Sequence, residues 1–309
     1  MSRKFPIIKK IVSFFDNLKI PGLEGMSVYD FLKLYLNGII KGMLTARAGS
    51  IAFSFFIALF PFALFLLTLI PYIPIDGFQE DLLAFIYKSM PSKVVSDAVN
   101  DVLTDISLNK YGELLSFGFI LSMFLMTNGV NAILSGFEYT FHQIETRTVI
   151  RQYVVAFFIS ILLAILLMVT VSTIIFLEFL IKSLEHQGMM GNTPFWINAA
   201  QVVVFIFMIF VGTSLLYYFG TKEGKNLSFF SPGTILTTVL VVLNSKLFSI
   251  YIERFAQYNK LYGSIGTVLA IMIFIWINSI ILLLGFELNT SITKLHNQND
   301  LNKKQLESN

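Results

Sequence analysis

Six long apolar runs divide this chain, and its polar positions fall between those runs or recur inside them at helical spacing. A hydrocarbon layer about 30 Å thick is crossed by about 20 apolar residues of helix. On that criterion the spans run approximately Ala48–Ile70, Leu114–Leu134, Tyr153–Leu180, Ile197–Phe219, Pro232–Ile252 and Thr267–Thr290. The third is long enough to tilt or protrude, and Asn244 and Lys246 interrupt the fifth. Two amphipathic stretches precede the first span. In RKFPIIKKIVSFFDNLKI, Ile7, Ile8, Ile11, Phe14, Phe15 and Leu18 recur at helical spacing with the lysines mostly between them. The second, SVYDFLKLYLNGIIKGML, opens with Ser27 and Asp30 spaced as a capping box with a shortened acid. Helices of this kind lie in the interface with their cations near anionic headgroups. Between the first two spans, KVVSDAVNDVLTDI places Val94, Val95, Ala98, Val99, Val102 and Ile106 on one face and Asp97, Asp101 and Asp105 on the other. That pattern predicts a surface helix covering one end of the bundle.

The expected fold class is therefore all-α: a polytopic membrane bundle of six transmembrane helices with additional amphipathic interfacial helices. Residues 1–47 form a cytoplasmic amphipathic segment, 48–290 the transmembrane domain with a helical outer loop at 72–113, and 291–309 a polar cytoplasmic tail. Composition supports lipid as the solvent. Of 309 residues 55% are hydrophobic and 13% charged, with mean hydropathy +0.74, against about 25% charged in soluble domains. A soluble chain of this length could not cover so much apolar surface. The N-terminal stretch has scattered charges and no uninterrupted apolar core, unlike a cleavable signal peptide. There is no cysteine, hence no disulfide or thiolate chemistry. His142, His186 and His296 are far apart and no HExxH occurs, so neither a metal nor another cofactor is expected.

Orientation follows from the loops. With the N-terminus inside, fifteen of the 22 lysines and arginines fall on the cytoplasmic side and six on the other, Lys246 lying within a span. The long outer loop carries seven acids against three lysines. Both termini are thus expected in the cytoplasm, the chain sitting in a bacterial cytoplasmic (inner) membrane. Membrane lipids are the expected partners, and nucleic acid is not one. The GFELN stretch, Gly285 to Asn289, would then lie at the inner end of the sixth span, within reach of water or headgroups. Glu287 points about 200° away from Asn289 and is placed to meet Arg47 or a basic loop.

Polar side chains inside the hydrocarbon turn toward the bundle or a cavity. In the first span Arg47, Ser50, Ser54, Ala58 and Pro61 form a stripe that either packs closely or lines a cavity. Pro61 removes a backbone donor mid-span. In the second, Asn128, Asn131, Ser135 and Glu138 share a face, as glue between helices or as ligand contacts. Glu138 can pair with Arg147 or Arg151. The fifth carries Thr234, Thr238, Ser245 and Ser249 along one flank, with Asn244 and Lys246. A lysine at mid-membrane costs about 2.5–3.5 kcal/mol on insertion scales, so Lys246 either has a partner or snorkels outward. In the sixth, Asn278, Leu282, Gly285 and Asn289 share a face. Ahead of it, ERFAQYNKLYGSIGT brings Tyr258, Tyr262 and Gly263 to the outer interface, where the glycines permit an unwound turn lining a cavity.

The stretches TARAGSIAFSFFIALFPF, NGVNAIL and YNKLYGSIGTVLAIMIFIWINSIILLLGFELN, in this order within a six-span plan, resemble the YihY/BrkB family of bacterial inner-membrane proteins, over most of residues 40–292. Tyr262-Gly263-Ser264 and Gly285, Glu287, Leu288 and Asn289 carry the resemblance, whereas Lys246 stands where the family pattern implies an apolar or aromatic residue. The family carries ribonuclease BN-like and virulence or serum-resistance labels. The nuclease label finds no chemistry here: metal-dependent hydrolysis needs clustered carboxylates or histidines, and Glu178 and Glu287 are isolated.

Two functions fit. One is a permease, or a protein that handles lipids or other amphiphiles, with a polar cavity between helices. With no Walker motif, movement would be facilitated, gradient-driven or powered by a partner. The alternative is a non-transporting scaffold that engages envelope proteins, its polar stripes serving as packing glue throughout. Cysteines placed singly at positions 54, 131, 245 and 278 separate the two by their access to water. An intramembrane enzyme lacks paired aspartates, a Ser/His pair or metal ligands.

Overall fold

A computed structural model describes residues 43–69, 112–138, 147–186, 193–221, 229–255 and 259–307, with isolated positions before residue 43 and at 191, and the side chains of most positions in those ranges. The first interfacial stretch, the outer-loop helix at 93–106 and Tyr258 lie outside the described residues.

Among the described residues all regular structure is helical. Six helices follow one another: α1 Leu44–Leu69, α2 Gly112–Glu138, α3 Val149–His186, α4 Thr193–Gly220, α5 Pro232–Phe255 and α6 Asn259–Glu307. Among the described residues five (α2–α6) are long and apolar enough to cross a membrane, and α1 carries a shorter apolar run, Leu44–Leu59. The protein is a multi-pass membrane protein. Each helix packs on the next, and α6 returns to pack on α1, so the six close into a ring.

One expectation about α6 is corrected. The glycines at 263–266 do not unwind the chain, because α6 is already helical from Asn259. In lipid each backbone group must bond within its own helix, which outweighs the cost of about 1 kcal/mol per helical glycine. Beyond residue 290 α6 continues as a helix to Glu307.

Local signals explain the helix starts. Ser231 precedes Pro232, and its Oγ accepts the Thr234 amide at 3.3 Å, an N-cap followed by proline in the first turn. At α4 a proline, Pro194, likewise stands in the first turn. Ahead of α1, Lys33, Tyr35, Leu36, Asn37, Ile39 and Ile40 are helical. Met43, at φ 48°, breaks that helix from α1. Leu36, Ile40 and Met43 are exposed along one side, an apolar stripe suited to the membrane interface, while the Tyr35 hydroxyl donates to the Leu284 carbonyl of α6.

Burial is uneven along the bundle. The core joins Leu44, Ala48 and Ile51 of α1, Val130 to Phe137 of α2, Ala156 and Ile159 of α3, Leu216 and Tyr217 of α4, and Leu283 and Phe286 of α6. All lie toward the end where α1 begins, here called the near end. Toward the far end no residue of α4 from 194 to 212, of α5 from 239 to 252 or of α6 from 271 to 278 is buried.

Candidate functional site

At the near end polar groups tie the ring together. The Arg47 guanidinium donates from Nη1 to Glu287 Oε1 at 2.8 Å and from Nε to the Gly136 carbonyl at 2.8 Å, joining α1, α2 and α6. Both partners are buried, Glu287 completely. The expectation that water or headgroups reach GFELN is therefore corrected: Glu287 turns into the bundle because a cation waits there. Asn289 is as deeply buried. Its Oδ1 accepts the Gly233 amide at 2.7 Å and its Nδ2 donates to Ser231 Oγ at 2.8 Å, so α6 caps the start of α5. Gly285 makes that contact feasible. A Cβ there would collide with the Thr237 hydroxyl, the Tyr217 hydroxyl and the Gly233 carbonyl. GFELN is thus a stitch, each of its polar residues anchoring a different helix.

A three-ring plug fills the ring's centre at this level. Phe137 of α2 stacks on Phe286 of α6 with centroids 4.2 Å apart, and Tyr217 of α4 meets both edge-on or tilted, at 5.6 and 6.0 Å. The Tyr217 hydroxyl donates to the Leu282 carbonyl and accepts from Thr237 Oγ1, each at 2.7 Å. Arg147 closes the adjoining corner, its guanidinium donating to the Phe219 and Gly220 carbonyls that end α4. Burial draws that guanidinium below its usual pKa range against the opposing pull of Glu138. Glu138 itself accepts the Arg147 backbone amide at 3.1 Å rather than pairing with a guanidinium. Tyr217 and the plug escaped sequence reasoning, because aromatic residues make up 15% of the chain and occur on every face.

The remaining candidates separate into three groups. Some pack helices together. Asn128 accepts the Tyr153 hydroxyl at 3.4 Å and Ser135 accepts from Gln152 at 2.9 Å, so this face of α2 meets α3. Ser54 and Ala58 border Gly129 of α2, and the Pro61 carbonyl accepts the Ser122 hydroxyl. Others face outward: Ser50 is exposed, and so is Lys246, between the exposed Leu243, Leu247 and Ile250. Lys246 thus faces outward and joins no interior cluster among the described residues. The third group, Asn131, Asn244 and Asn278, carries buried atoms with no protein partner, namely Asn131 Oδ1, Asn244 Nδ2 and Asn278 Oδ1, and Ser214 Oγ of α4 joins them. They come from α2, α5, α6 and α4. Counting along each helix from the plug or the Gly285 contact, they stand about 5–10 Å toward the far end. Side chains at Tyr262 and Gly263 lie outside the described residues.

Beyond Asn131, α2 and α3 enclose an apolar groove of about 660 Å³ lined by Phe119, Met123, Phe124, Phe157, Ile165 and Met168 among others. Among the described residues no three His, Cys, Asp or Glu side chains gather closely enough to hold a metal ion.

Residues 38–308 match the family described as virulence factor BrkB. The chain belongs to the BrkB family. A protein of Bacillus subtilis (strain 168) whose name, YfkH, comes with a ribonuclease-like label is 28% identical over 254 residues, 81% of this chain and 90% of that protein. UPF0761 membrane proteins of Aggregatibacter aphrophilus (strain NJ8700) and Haemophilus influenzae (strain 86-028NP) are 20% and 19% identical, covering 90% and 88% of this chain and 97% and 98% of their own lengths. No solved structure matches the chain. The similarity to these relatives of the BrkB-family chain thus runs over most of its length.

Proposed function

We propose that this BrkB-family protein is a permease or lipid-handling protein rather than an enzyme, with a polar interior sealed at the near end and accessible from the far end. One observation carries the reading: four buried polar atoms on four different helices lack protein partners in one layer just beyond the aromatic plug. In hydrocarbon an unsatisfied polar group costs several kcal/mol. Such a layer persists when water or a substrate group satisfies it. No residue of α4 from 194 to 212 or of α5 from 239 to 252 is buried, a loose far end that supports this reading. The apolar groove between α2 and α3 suits an acyl chain, which favours an amphiphile over a small solute.

The positive-inside count supports a cytoplasmic near end, with Arg47, Arg147 and both termini on that side of a bacterial inner membrane. The scaffold alternative draws on the near-end stitching, where Arg47, Glu287 and Asn289 serve as glue; it requires the far layer to be glue as well. Single cysteines at Asn131, Ser214, Asn244 and Asn278, in a chain that has none of its own, decide between them. Alkylation by a membrane-impermeant maleimide from the far side, together with accelerated lipid movement in proteoliposomes, is the expected result. Protection at all four positions and no movement of any lipid or solute in a broad panel would overturn the reading.

A further inference from the structure

The antiparallel contact between α5 and α6 has a readable register. Gly233 meets Asn289 through a hydrogen bond, Thr237 borders Gly285, and Phe248 packs on Phe274 with ring centroids 4.5 Å apart. Each advance along α5 is matched by an equal retreat along α6. In that register Asn244 lies opposite Asn278, seven residues beyond the Thr237–Gly285 contact on both helices and one turn before the Phe248–Phe274 contact. Two asparagines facing each other in a helical seam ordinarily bond and fix the register. Here they do not. Asn278 spends its Nδ2 on the Phe274 carbonyl at 2.9 Å, while its Oδ1 and the Asn244 Nδ2 are buried without a protein partner. A donor and an acceptor thus stand unused on opposite walls of one seam, with Ser214 Oγ and Asn131 Oδ1 in the same layer on α4 and α2.

The charges of the described spans lie elsewhere. Arg47 and Glu287 neutralise each other at the near end, Lys182 pairs with Glu178 on α3 at 3.0 Å, and Lys246 is exposed on the outer flank of α5. A phosphate in this layer would meet no cation, and an unpaired charge in a low-dielectric interior is strongly disfavoured.

We propose that Asn244 and Asn278 form a binding site for an uncharged hydroxyl-bearing group, and that the amphiphile handled by this protein carries a neutral, hydroxylated head such as a sugar on diacylglycerol rather than a phosphate. A hydroxyl both donates and accepts, so one such group satisfies the Asn278 Oδ1 and the Asn244 Nδ2 together. The inference rests on the lipid-handling reading above and narrows its substrate class.

The test uses the full chain in phosphatidylcholine vesicles, with fluorescent monoglucosyl-diacylglycerol and fluorescent phosphatidylglycerol as probes and dithionite quenching as the readout of movement between leaflets. The glucosyl lipid is expected to move about tenfold faster than phosphatidylglycerol. The double substitution Asn244→Leu/Asn278→Leu is expected to slow it about tenfold, the effect of losing two neutral hydrogen bonds. The same substitution should leave the thermal midpoint in detergent unchanged or raised, because replacing two unbonded buried amides with apolar side chains removes a desolvation cost. A lowered midpoint identifies the amides as structural and overturns the site, as does an unchanged glucosyl-lipid rate in the double variant. Phosphatidylglycerol moving while the glucosyl lipid does not overturns the neutral-head assignment and leaves the lipid-handling reading standing. Movement of neither lipid removes both.

Discussion

Removing one member of the Arg47–Glu287 pair exposes what holds the near end closed. Glu287 is fully buried and Arg47 nearly so, at 2.8 Å between Nη1 and Oε1. Glu287→Leu leaves the guanidinium with the Gly136 carbonyl but without its counter-charge. Arg47→Met takes the guanidinium from the buried carboxylate and frees that carbonyl as well. Breaking a buried pair from one side costs about 3–5 kcal/mol, so each single variant should lose that much. Arg47→Met/Glu287→Leu together removes both charges and leaves only neutral groups such as the Gly136 carbonyl to be re-satisfied, at about 1–3 kcal/mol for a buried neutral group. The double variant should therefore be more stable than either single one, with a coupling energy of at least about 3 kcal/mol. SDS-induced unfolding of the full chain in mixed micelles, followed by circular dichroism, measures all four corners of the cycle. Single-variant losses that add within about 0.5 kcal/mol would refute the claim that these two side chains are each other's principal partner.

Other perturbations probe separate contacts. Gly285→Ala should destabilise by about 1–3 kcal/mol through overpacking, because its Cβ would meet the Gly233 backbone and two hydroxyls. Gly49→Ala and Gly118→Ala, whose Cβ positions are open, should instead gain up to about 1 kcal/mol; thermal midpoints in detergent compare the three. Asn289→Ala removes the cap on α5 and should cost about 1–2 kcal/mol, read as faster hydrogen exchange confined to the Gly233–Ile235 amides. Phe137→Ala empties one third of the plug and should cost about 3–5 kcal/mol. In that background a cysteine at Asn131 should become reactive from both faces of a vesicle, and continued one-sided reactivity would show that the rings do not form the seal.

The six apolar runs were legible in the sequence, because crossing lipid imposes a length that composition reveals directly. GFELN stood out for a related reason: a carboxylate and an amide beside such a run need partners, and Arg47 was the nearest reasonable cation. Which way each polar residue turned was not legible. In a soluble protein one face of a helix is polar and the other apolar, so the pattern points toward the core. In a membrane bundle the lipid and the interior are comparably apolar, and that signal vanishes. Ser50 and Lys246 accordingly looked like Ser54 and Asn244 until packing set the first two outside and the second two within or between helices. The glycines at 263–266 looked like a break until the backbone of α6 ran through them. Sequence by itself determined that this chain lives in lipid as a stack of long helices and which few residues needed company there. Only the tertiary structure chose that company: it set the register that brings Asn289 to Gly233 and gathered Phe137, Tyr217 and Phe286 from three helices into one plug. Those choices depend on distances between residues far apart in the chain, which no local pattern encodes.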